Sequence, residues 1–242
     1  MAIIKTEGII LRSKKYSETS LILDIYTQLH GLKAYIVSGV RKSRSKSKAG
    51  LYQVMNIVNI VAYNKQNDSL SRITETHPKY IYKHISRDVI KSSVGMLLME
   101  VTRNAIKEKE QNNDLYNFLI DWFLFLDQST NPIGNFPIKY LLDLSENLGF
   151  KPLINYTEED SIFDMYEAKF ISPNQENKYC LDESHSLFIY KMMQTPRTEI
   201  HQIPSDRETR AILLSKLILF YQLHLDNFKD LKSISILRQV LS

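Results

Sequence analysis

Residues 41–48, which read R-K-S-R-S-K-S-K, place five cations in eight positions and include no acid and no large apolar side chain. Their positive groups repel one another unless an anion neutralises them, and a nucleic-acid backbone supplies such anions while releasing condensed counterions. The serines between them can donate hydrogen bonds to phosphate oxygens, which fixes position but reads no sequence. The segment therefore predicts sequence-independent binding of nucleic acid. A solvated surface loop, the usual meaning of a charge run, is the alternative. The five cations are Arg41, Lys42, Arg44, Lys46 and Lys48.

Further cations and aromatic residues of the first 80 positions extend this pattern. Arg12, Lys14 and Lys15 follow the first apolar stretch, where the chain must turn. Tyr16 and Tyr52 stand beside loops, and an exposed ring that stacks on a base contributes roughly 1–3 kcal/mol. We therefore predict that these five residues contact nucleic acid together with the five cations of 41–48.

Residues that could carry out catalysis are scattered and form no motif. The seven glycines make neither a phosphate-binding loop nor a dinucleotide fingerprint, and no GxSxG is present. The six histidines lack metal-ligand spacing, and the single cysteine, Cys180, excludes both an intrachain disulfide and a CxxC zinc knuckle. The sequence predicts no catalytic site, no cofactor and no metal.

The charge of the chain is unevenly distributed. Residues 1–80 contain 13 Lys+Arg against 5 Asp+Glu, a net charge of +8, whereas residues 81–242 contain 18 against 22, a net charge of −4. This asymmetry indicates a basic binding module joined to a near-neutral body. The N-terminus does not have the pattern of a signal peptide, and the longest apolar segments are shorter than a membrane span. We expect a soluble, cytoplasmic protein without a membrane partner.

The first 80 residues have the pattern of short β-strands separated by turn residues. Five strands in so short a segment favour a small barrel, of which the OB-fold is the common five-stranded kind. The predicted strands are 3–12, 20–26, 33–38, 53–63 and 69–75.

After residue 78 the apolar residues recur at helical spacing. The fold class is therefore α+β, with an OB-fold nucleic-acid-binding domain over 1–80 and a mainly α-helical C-terminal domain over 81–242. A short β-hairpin is predicted within the helical domain near 161–181, because that segment alternates weakly. The predicted helices are 89–109, 115–127, 136–148, 182–194 and 207–228.

Several short segments have a characteristic order along the chain. They are G-I-I-L-R at 8–12, Y-S-E-T at 16–19, G-V-R-K-S-R-S at 39–45, L-G-F-K-P at 148–152 and F-D-M-Y-E at 163–167. Together they resemble the RecO family of bacterial recombination-mediator proteins, and further matches extend to residue 237.

The resemblance to RecO implies an N-terminal OB-fold and a helical C-terminal domain. It also implies binding of single- and double-stranded DNA, annealing of complementary strands, and help for the RecA recombinase in replacing single-strand-binding protein (SSB). The implied partners are RecR and the acidic, apolar C-terminal tail of SSB, and the implied location is the nucleoid. No enzymatic turnover is implied.

Two departures from the family pattern matter. Many members carry a four-cysteine zinc site after the Gly-Phe-x-Pro junction, whereas this chain has I-N-Y-T-E-E-D at 154–160 and only Cys180 beyond it. The last basic segment of the family pattern also carries less charge in this chain, with a single cation, Lys232, among residues 232–235. The chain is therefore expected to lack the zinc site and to make fewer DNA contacts from its C-terminal end.

A groove for the SSB tail is expected on the strongly apolar helix near residues 115–126, although most such residues are simply core. Phe118 and Trp122 are the candidate apolar contacts, and Lys139 is the candidate partner for the terminal carboxylate. Two other interpretations stay open at this level: an OB-fold RNA-binding or translation accessory protein, and a non-catalytic interaction scaffold. A metal hydrolase that uses scattered histidines and acids is a third.

Overall fold

The computed structural model describes residues 2–40, 49–64, 70–107 and 109–233. It divides into two compact units. Unit 1 comprises residues 1–128 and 231–242, and unit 2 comprises residues 129–230. The domain boundary predicted near residue 80 coincides with the change from strands to helices. The boundary between the compact units lies between residues 128 and 129.

Unit 1 begins with a closed five-stranded barrel in the order β1-β2-β3-β5-β4. Neighbouring strands are antiparallel except for β3 and β5, which are parallel. β1 is long enough to pair with β4 through its first half and with β2 through its second half. This arrangement confirms the predicted OB-fold. The strands are β1 (Ala2–Lys15), β2 (Leu21–Thr27), β3 (Gly31–Val37), β4 (Ile57–Asn64) and β5 (Ser71–Pro78).

The barrel is filled by alternate residues of its strands, as the two-residue period of a strand requires. Ile10, Leu23, Tyr35, Ile60 and Ile73 all belong to this buried cluster. Removing each of the aliphatic side chains from water stabilises the fold by roughly 1.5–3 kcal/mol.

β4 begins four residues later than the sequence predicts. A 3-10 turn over Gly50–Tyr52 precedes it, and Met55 has a positive φ of 77°. Asn56 holds this turn, because its Nδ2 donates to the carbonyl oxygens of Gly50 at 2.7 Å and Leu51 at 3.2 Å. The apolar residues 54 and 55 therefore belong to a packed turn rather than to the strand.

Two helices complete the described part of unit 1: α1 (Val89–Ala105) and α2 (Asn113–Gln128). Asp88 caps α1 by accepting hydrogen bonds from the amides of Ile90 at 2.8 Å and Lys91 at 3.0 Å. Both helices contact β1. The chain returns to this unit at its C-terminal end, where Glu100 of α1 accepts hydrogen bonds from the amides of Lys232 at 2.9 Å and Ser233 at 2.8 Å.

Unit 2 contains three helices and a small two-stranded sheet among its described residues. The side chains of Asp182 and Asp206 cap the second and third of these helices. The sheet lies within the segment 161–181 for which the sequence predicts a hairpin. The aromatic core of unit 2 includes Phe150, Phe163 and Phe220. The elements are α3 (Phe136–Asn147), β6 (Ile162–Asp164), β7 (Lys169–Ile171), α4 (Glu183–Gln194) and α5 (Arg207–His224).

Candidate nucleic-acid interface

One end of the barrel carries a row of outward-facing residues on neighbouring strands. Lys14 of β1 pairs in register with Ile22 of β2, and Ile22 pairs with Ile36 of β3. Ile36 then pairs with Arg72 of β5, and Arg72 with Tyr63 of β4. Because directly opposed residues share a face of a sheet, these five side chains form one band across the outside of the barrel.

The band combines cations with an exposed aromatic ring. Lys14 and Arg72 are exposed, Tyr63 is 40% exposed, and Ile22 and Ile36 are half-buried between the two cations. This pairing of positive charge with an open ring is the combination with which single-strand binders hold phosphates and bases. Sequence reasoning missed Arg72 and Tyr63, and strand alternation could have found them only once the register between β3, β5 and β4 was known.

The end of β1 and the turn after it add two predicted contacts, Lys15 and Tyr16, next to Lys14 of this band. Lys14, Lys15 and Tyr16 are all exposed, and Tyr16 retains 63% of its accessible surface. The turn is fixed by the backbone, since the amide of Tyr16 donates to the carbonyl oxygen of Ser20 at 3.0 Å. These side chains can therefore meet a ligand without rearrangement of the turn.

The described residues on either side of the basic segment belong to the barrel. Val40 is buried in the barrel core, and its amide donates to the carbonyl oxygen of Thr19 at 3.0 Å, so it joins the turn that carries Tyr16. Ala49 and Leu51, on the other side of the segment, pack against the same core. The predicted contacts Arg41, Lys42, Arg44, Lys46 and Lys48 themselves lie outside the described residues.

Tyr52 has a different position from the one that the sequence suggests. Its side chain is buried in the barrel core, with 7% of its surface exposed, and its hydroxyl donates to Oγ1 of Thr76 at 3.1 Å. The ring therefore has no open face for a base. The expectation that Tyr52 stacks on a base is corrected, and Tyr63 is the better aromatic candidate.

Arg12 belongs to a charge cluster between the barrel and α1. Its Nε lies 2.8 Å from Oδ2 of Asp24, and Nε of Arg103 lies 2.5 Å from the same oxygen. The Asp24 side chain is only 5% exposed, whereas those of Arg12 and Arg103 are 51% and 34% exposed. One buried carboxylate thus holds two guanidinium groups together, and the cluster keeps a net charge of +1. Arg12 therefore has a structural role besides any contact with a ligand.

The three residues predicted to bind a partner tail are not exposed as a groove would require. Trp122 is buried at 3% exposure, and Phe118 beside it is half-buried, with ring centroids 6.0 Å apart. Lys139 belongs to unit 2 and is 6% exposed. Its Nζ lies 3.1 Å from Asp143 Oδ1 and donates to the carbonyl oxygen of Met193 at 3.3 Å. Trp122 and Lys139 are therefore buried structural residues, and the prediction that they contact the tail is corrected.

Two features of the described residues bear on the kind of protein. Within residues 2–40, 49–64, 70–107 and 109–233, no three His, Cys, Asp or Glu side chains come close enough together to hold a metal ion. Every helix in those ranges is too short or too polar to span a bilayer. Cys180 is partly buried, and this burial raises the pKa of its thiol.

A closed five-stranded barrel with cations and an open tyrosine at one end, followed by helices, defines the class of OB-fold proteins that carry a helical region. Comparison with known families then identifies the chain further. The family model described as "Recombination protein O N terminal" matches residues 1–82, and the one described as "Recombination protein O C terminal" matches residues 86–233. The chain belongs to the RecO family, and membership of this family supports a role in DNA repair.

Individual relatives agree with this assignment over nearly their whole length. The chain is 33% identical over 239 residues to DNA repair protein RecO of Christiangramia forsetii, which covers 98% of this chain and 99% of the relative. It is 33% identical over 240 residues to the RecO protein of Flavobacterium psychrophilum, with 99% of each chain covered. The RecO protein of Phocaeicola vulgatus is 30% identical over 238 residues. The resemblance drawn from short segments is confirmed.

Proposed function

We propose that this chain is a DNA-binding recombination mediator that anneals complementary single strands and assists RecA loading on SSB-coated DNA. One observation carries the proposal: the Val40–Thr19 hydrogen bond joins the residue that precedes the basic segment to the turn that follows the exposed Lys14, Lys15 and Tyr16. The outer band with Arg72 and Tyr63 lies at the same end of the barrel. This arrangement supports a DNA-binding surface at that end of the barrel.

Annealing of this kind requires no bond-making residue. Two complementary strands repel each other through their phosphates, and each neutralised phosphate lowers that repulsion while releasing counterions. A surface that holds the backbone and stacks only a few bases leaves the remaining bases free to pair. The absence of a catalytic motif from the sequence agrees with such a role, and we propose that the protein is not an enzyme.

The proposed division of labour follows the distribution of charge. Residues 1–80 would bind single- and double-stranded DNA, and residues 81–242 would supply contacts to RecR and to the C-terminal tail of SSB. Phe118 is half-buried beside Trp122, so we retain it as the proposed contact for the tail. The proposed site of action is the nucleoid.

Salt-dependent binding to a single-stranded oligonucleotide tests the DNA interface. If about six phosphates are neutralised, the logarithm of the association constant falls against the logarithm of salt concentration with a slope near −4. Alanine at Arg41, Lys42, Arg44, Lys46 and Lys48 together is expected to make this slope shallower by about 2 to 3. An RNA strand of the same sequence and an annealing assay with complementary DNA strands separate this function from RNA binding.

A matched variant controls for net charge. Five cations of unit 2 are replaced by alanine, which changes the net charge of the protein by the same amount, and the slope is expected to stay as in the wild type. A slope that the 41–48 variant leaves unchanged would contradict the proposal. The control positions are Lys151, Lys169, Lys178, Lys191 and Lys216.

A further inference from the structure

The last described residues of the chain are attached to α1 through a single carboxylate. Oε1 of Glu100 accepts a hydrogen bond from the amide of Lys232 at 2.9 Å, and Oε2 accepts one from the amide of Ser233 at 2.8 Å. The Ser233 hydroxyl also donates to Oε2. Leu231, just before these residues, is buried. Three donors from the C-terminal end therefore converge on one side chain of α1.

The electrostatics of Glu100 favour this attachment. Burial alone would raise the pKa of its carboxyl group, but the hydrogen bonds from Ser233 and Lys232, together with the charge of Lys232, outweigh it and the pKa is lowered. Glu100 is therefore ionised at neutral pH, and hydrogen bonds to an ionised acceptor are stronger than those between neutral groups. The chain thus continues beyond Ser233 from a defined point on α1.

Glu100 belongs to a stripe of residues on the outer face of α1. Val89, Ser93, Met96, Glu100 and Arg103 follow one another at intervals of three or four residues, so they share one face of the helix. Each of them is at least partly exposed. The attachment at Glu100 therefore places the C-terminal end on this stripe.

The two halves of the stripe differ in chemistry. On the N-terminal side of Glu100, Met96 is 45% exposed and Val89 is 66% exposed, and Ile90 beside Val89 is 45% exposed. On the C-terminal side, Arg103 brings a guanidinium group. Single exposed apolar residues are ordinary, but apolar side chains aligned on one face of a helix are typical of a surface that another segment covers.

The sequence that follows Ser233 has a matching pattern. Residues 234–242, here called the C-terminal segment, read I-S-I-L-R-Q-V-L-S, and five of these nine residues are apolar. Ile234, Leu237 and Leu241 are separated by three and four residues, which is the spacing of one helix face. The C-terminal segment lies outside the described residues, and its sequence indicates an amphipathic segment that requires an apolar surface.

Charge favours the apolar half of the stripe as that surface. The one charged residue of the C-terminal segment, Arg238, is a cation, so Arg103 would repel it on the basic half. Val89, Ser93 and Met96 carry no charge. The apolar half therefore accepts the segment without repulsion.

The C-terminal segment is also long enough to reach the apolar half. Met96 lies about 6 Å and Val89 about 16 Å from Glu100 along the helix axis, at 1.5 Å per residue. Nine residues span about 13 Å as a helix and up to about 30 Å when extended, so they reach Met96 in either form.

The segment of the same chain is favoured over other occupants of this face. Residue 234 follows the attached Ser233 directly, and a tethered segment meets its site at an effective concentration in the millimolar range. A second copy of the chain in dilute solution lacks this advantage. Nucleic acid would gain little, because Val89, Ile90 and Met96 offer neither charge nor an aromatic face.

We propose that the C-terminal segment lies along α1 from Glu100 toward Val89 and covers the exposed apolar side chains of this helix. Leu237 follows Ser233 by four residues and Met96 precedes Glu100 by four, so an antiparallel helical segment places Leu237 over Met96. The segment is an intramolecular cover, and this face of α1 opens to other molecules when the attachment at Glu100 is released. The cover goes beyond the proposed DNA-binding function and does not rest on it.

Disulfide cross-linking in the full chain tests the position of the segment. Cys180→Ser removes the native thiol, and Met96→Cys with Leu237→Cys then introduces one pair at the proposed contact. We expect an intramolecular disulfide under mild oxidation, because the two Cα atoms should approach within the roughly 4.4–6.8 Å that a disulfide spans. Met96→Cys with Ser235→Cys is the matched control. Ser235 belongs to the polar face of the segment, so this pair should cross-link at least about fivefold more slowly.

Three outcomes of the cross-linking would overturn the proposal. Equal rates for the two pairs would show that the segment has no preferred face toward α1. A disulfide-linked dimer as the main product would identify a second copy as the occupant. Absence of cross-linking by the pair at positions 96 and 237 would show that the segment lies elsewhere.

Thiol alkylation tests the attachment at Glu100. In the full chain with Cys180→Ser and Met96→Cys, the introduced thiol should react slowly with a maleimide because the segment covers it. Adding Glu100→Gln should raise the alkylation rate by about three- to tenfold, since a neutral amide keeps only one acceptor oxygen for the three donors. Glu75→Gln, at an exposed position of β5, makes the same change in net charge and should leave the rate within about twofold.

An alkylation rate that Glu100→Gln leaves unchanged, or that Glu75→Gln raises equally, would overturn the role of Glu100. Unchanged fluorescence of Trp122 shows that the variants are folded. Because both experiments are made without DNA, a result of either sign leaves the DNA proposal standing.

Discussion

At the scale of single residues, Asp127 shows how one buried charge organises a segment of this chain. Burial alone would raise the pKa of its carboxyl group, but hydrogen bonds from the amides of Ile85, Lys83 and His84 and from the Tyr80 hydroxyl outweigh it, and the pKa is lowered. The ionised form is therefore the one that the folded protein prefers. This preference makes the stability of unit 1 dependent on pH.

Asp127→Asn is expected to destabilise unit 1 by about 2–4 kcal/mol at neutral pH. Each oxygen of the Asp127 carboxylate accepts two hydrogen bonds, and the amide nitrogen that replaces one of these oxygens cannot accept any. The carboxylate contributes fully above its unfolded pKa, which is near 4, and its contribution is lost as the pH falls through the lower folded pKa. The wild type should therefore lose stability more steeply than the variant as the pH falls below about 4. Urea unfolding at a series of pH values, followed by the fluorescence of the single tryptophan, Trp122 of unit 1, measures both effects.

Asp121→Asn is the matched control for that experiment. Asp121 lies on the same helix but is exposed, so its replacement should change stability by no more than about 0.5 kcal/mol. Parallel pH profiles for wild type and Asp127→Asn would contradict the assignment of the acid-sensitive contribution to this carboxylate.

At the scale of elements, the turn between β2 and β3 depends on a glycine that has no room for a side chain. Gly31 has φ +55°, and a Cβ added there would lie 2.2 Å from the carbonyl oxygen of Glu110. Gly39, which precedes the basic segment, has φ +77° but meets no atom within 4 Å. Comparing substitutions at the two glycines therefore separates the cost of backbone strain from the cost of steric overlap.

Gly39→Ala should destabilise unit 1 by about 1–2 kcal/mol, the cost of a left-handed conformation for a residue with a Cβ. Gly31→Ala carries the same strain and also forces two backbone segments apart, so we expect a total loss of about 3–5 kcal/mol, at the upper end for single substitutions. Chemical denaturation followed by Trp122 fluorescence compares them. Equal losses at the two positions would show that the approach of Glu110 to this turn is looser than the structure indicates.

The elements themselves were largely predictable because each has a clear local pattern. The predicted helix 136–148 and the observed α3 differ by one residue at the end, and capping residues such as Asp182 and Asp206 mark the starts of α4 and α5. The start of β4 was not predictable, because the positive φ of Met55 depends on the packed turn before it. Apolar spacing alone cannot distinguish a packed turn from a strand.

The candidate site was predictable only in part, for a related reason. Tyr16 and Lys14 could be assigned to the surface because they adjoin a turn. Tyr52 and Tyr63 look equivalent in the sequence, yet the first fills the barrel and the second lies on its outer face at 40% exposure. Which face a strand residue takes depends on register, and register is set by contacts between strands that are distant in sequence.

At the scale of the whole molecule, positive charge is concentrated in one of the two compact units. Residues 129–230 contain 10 Lys+Arg and 15 Asp+Glu, a net charge of −5, so the rest of the chain holds 21 against 12, a net charge of +9. The overall charge of +4 therefore conceals a strongly basic unit that contains the barrel. A polyanion should be attracted to unit 1 from a distance that the ionic strength controls.

This segregation predicts which charges govern the rate of association with DNA. Lys14→Glu with Lys15→Glu should lower the association rate constant for a single-stranded oligonucleotide by about tenfold at 50 mM salt, because steering by the local field is weakened. Lys178→Glu with Lys191→Glu makes the same change in net charge on exposed positions of unit 2, and it should lower the rate by less than about twofold. Stopped-flow measurements at several salt concentrations compare the two, and the difference should shrink at 500 mM salt as screening shortens the field. Equal effects of the two variants would mean that net charge, rather than its concentration in unit 1, drives the encounter.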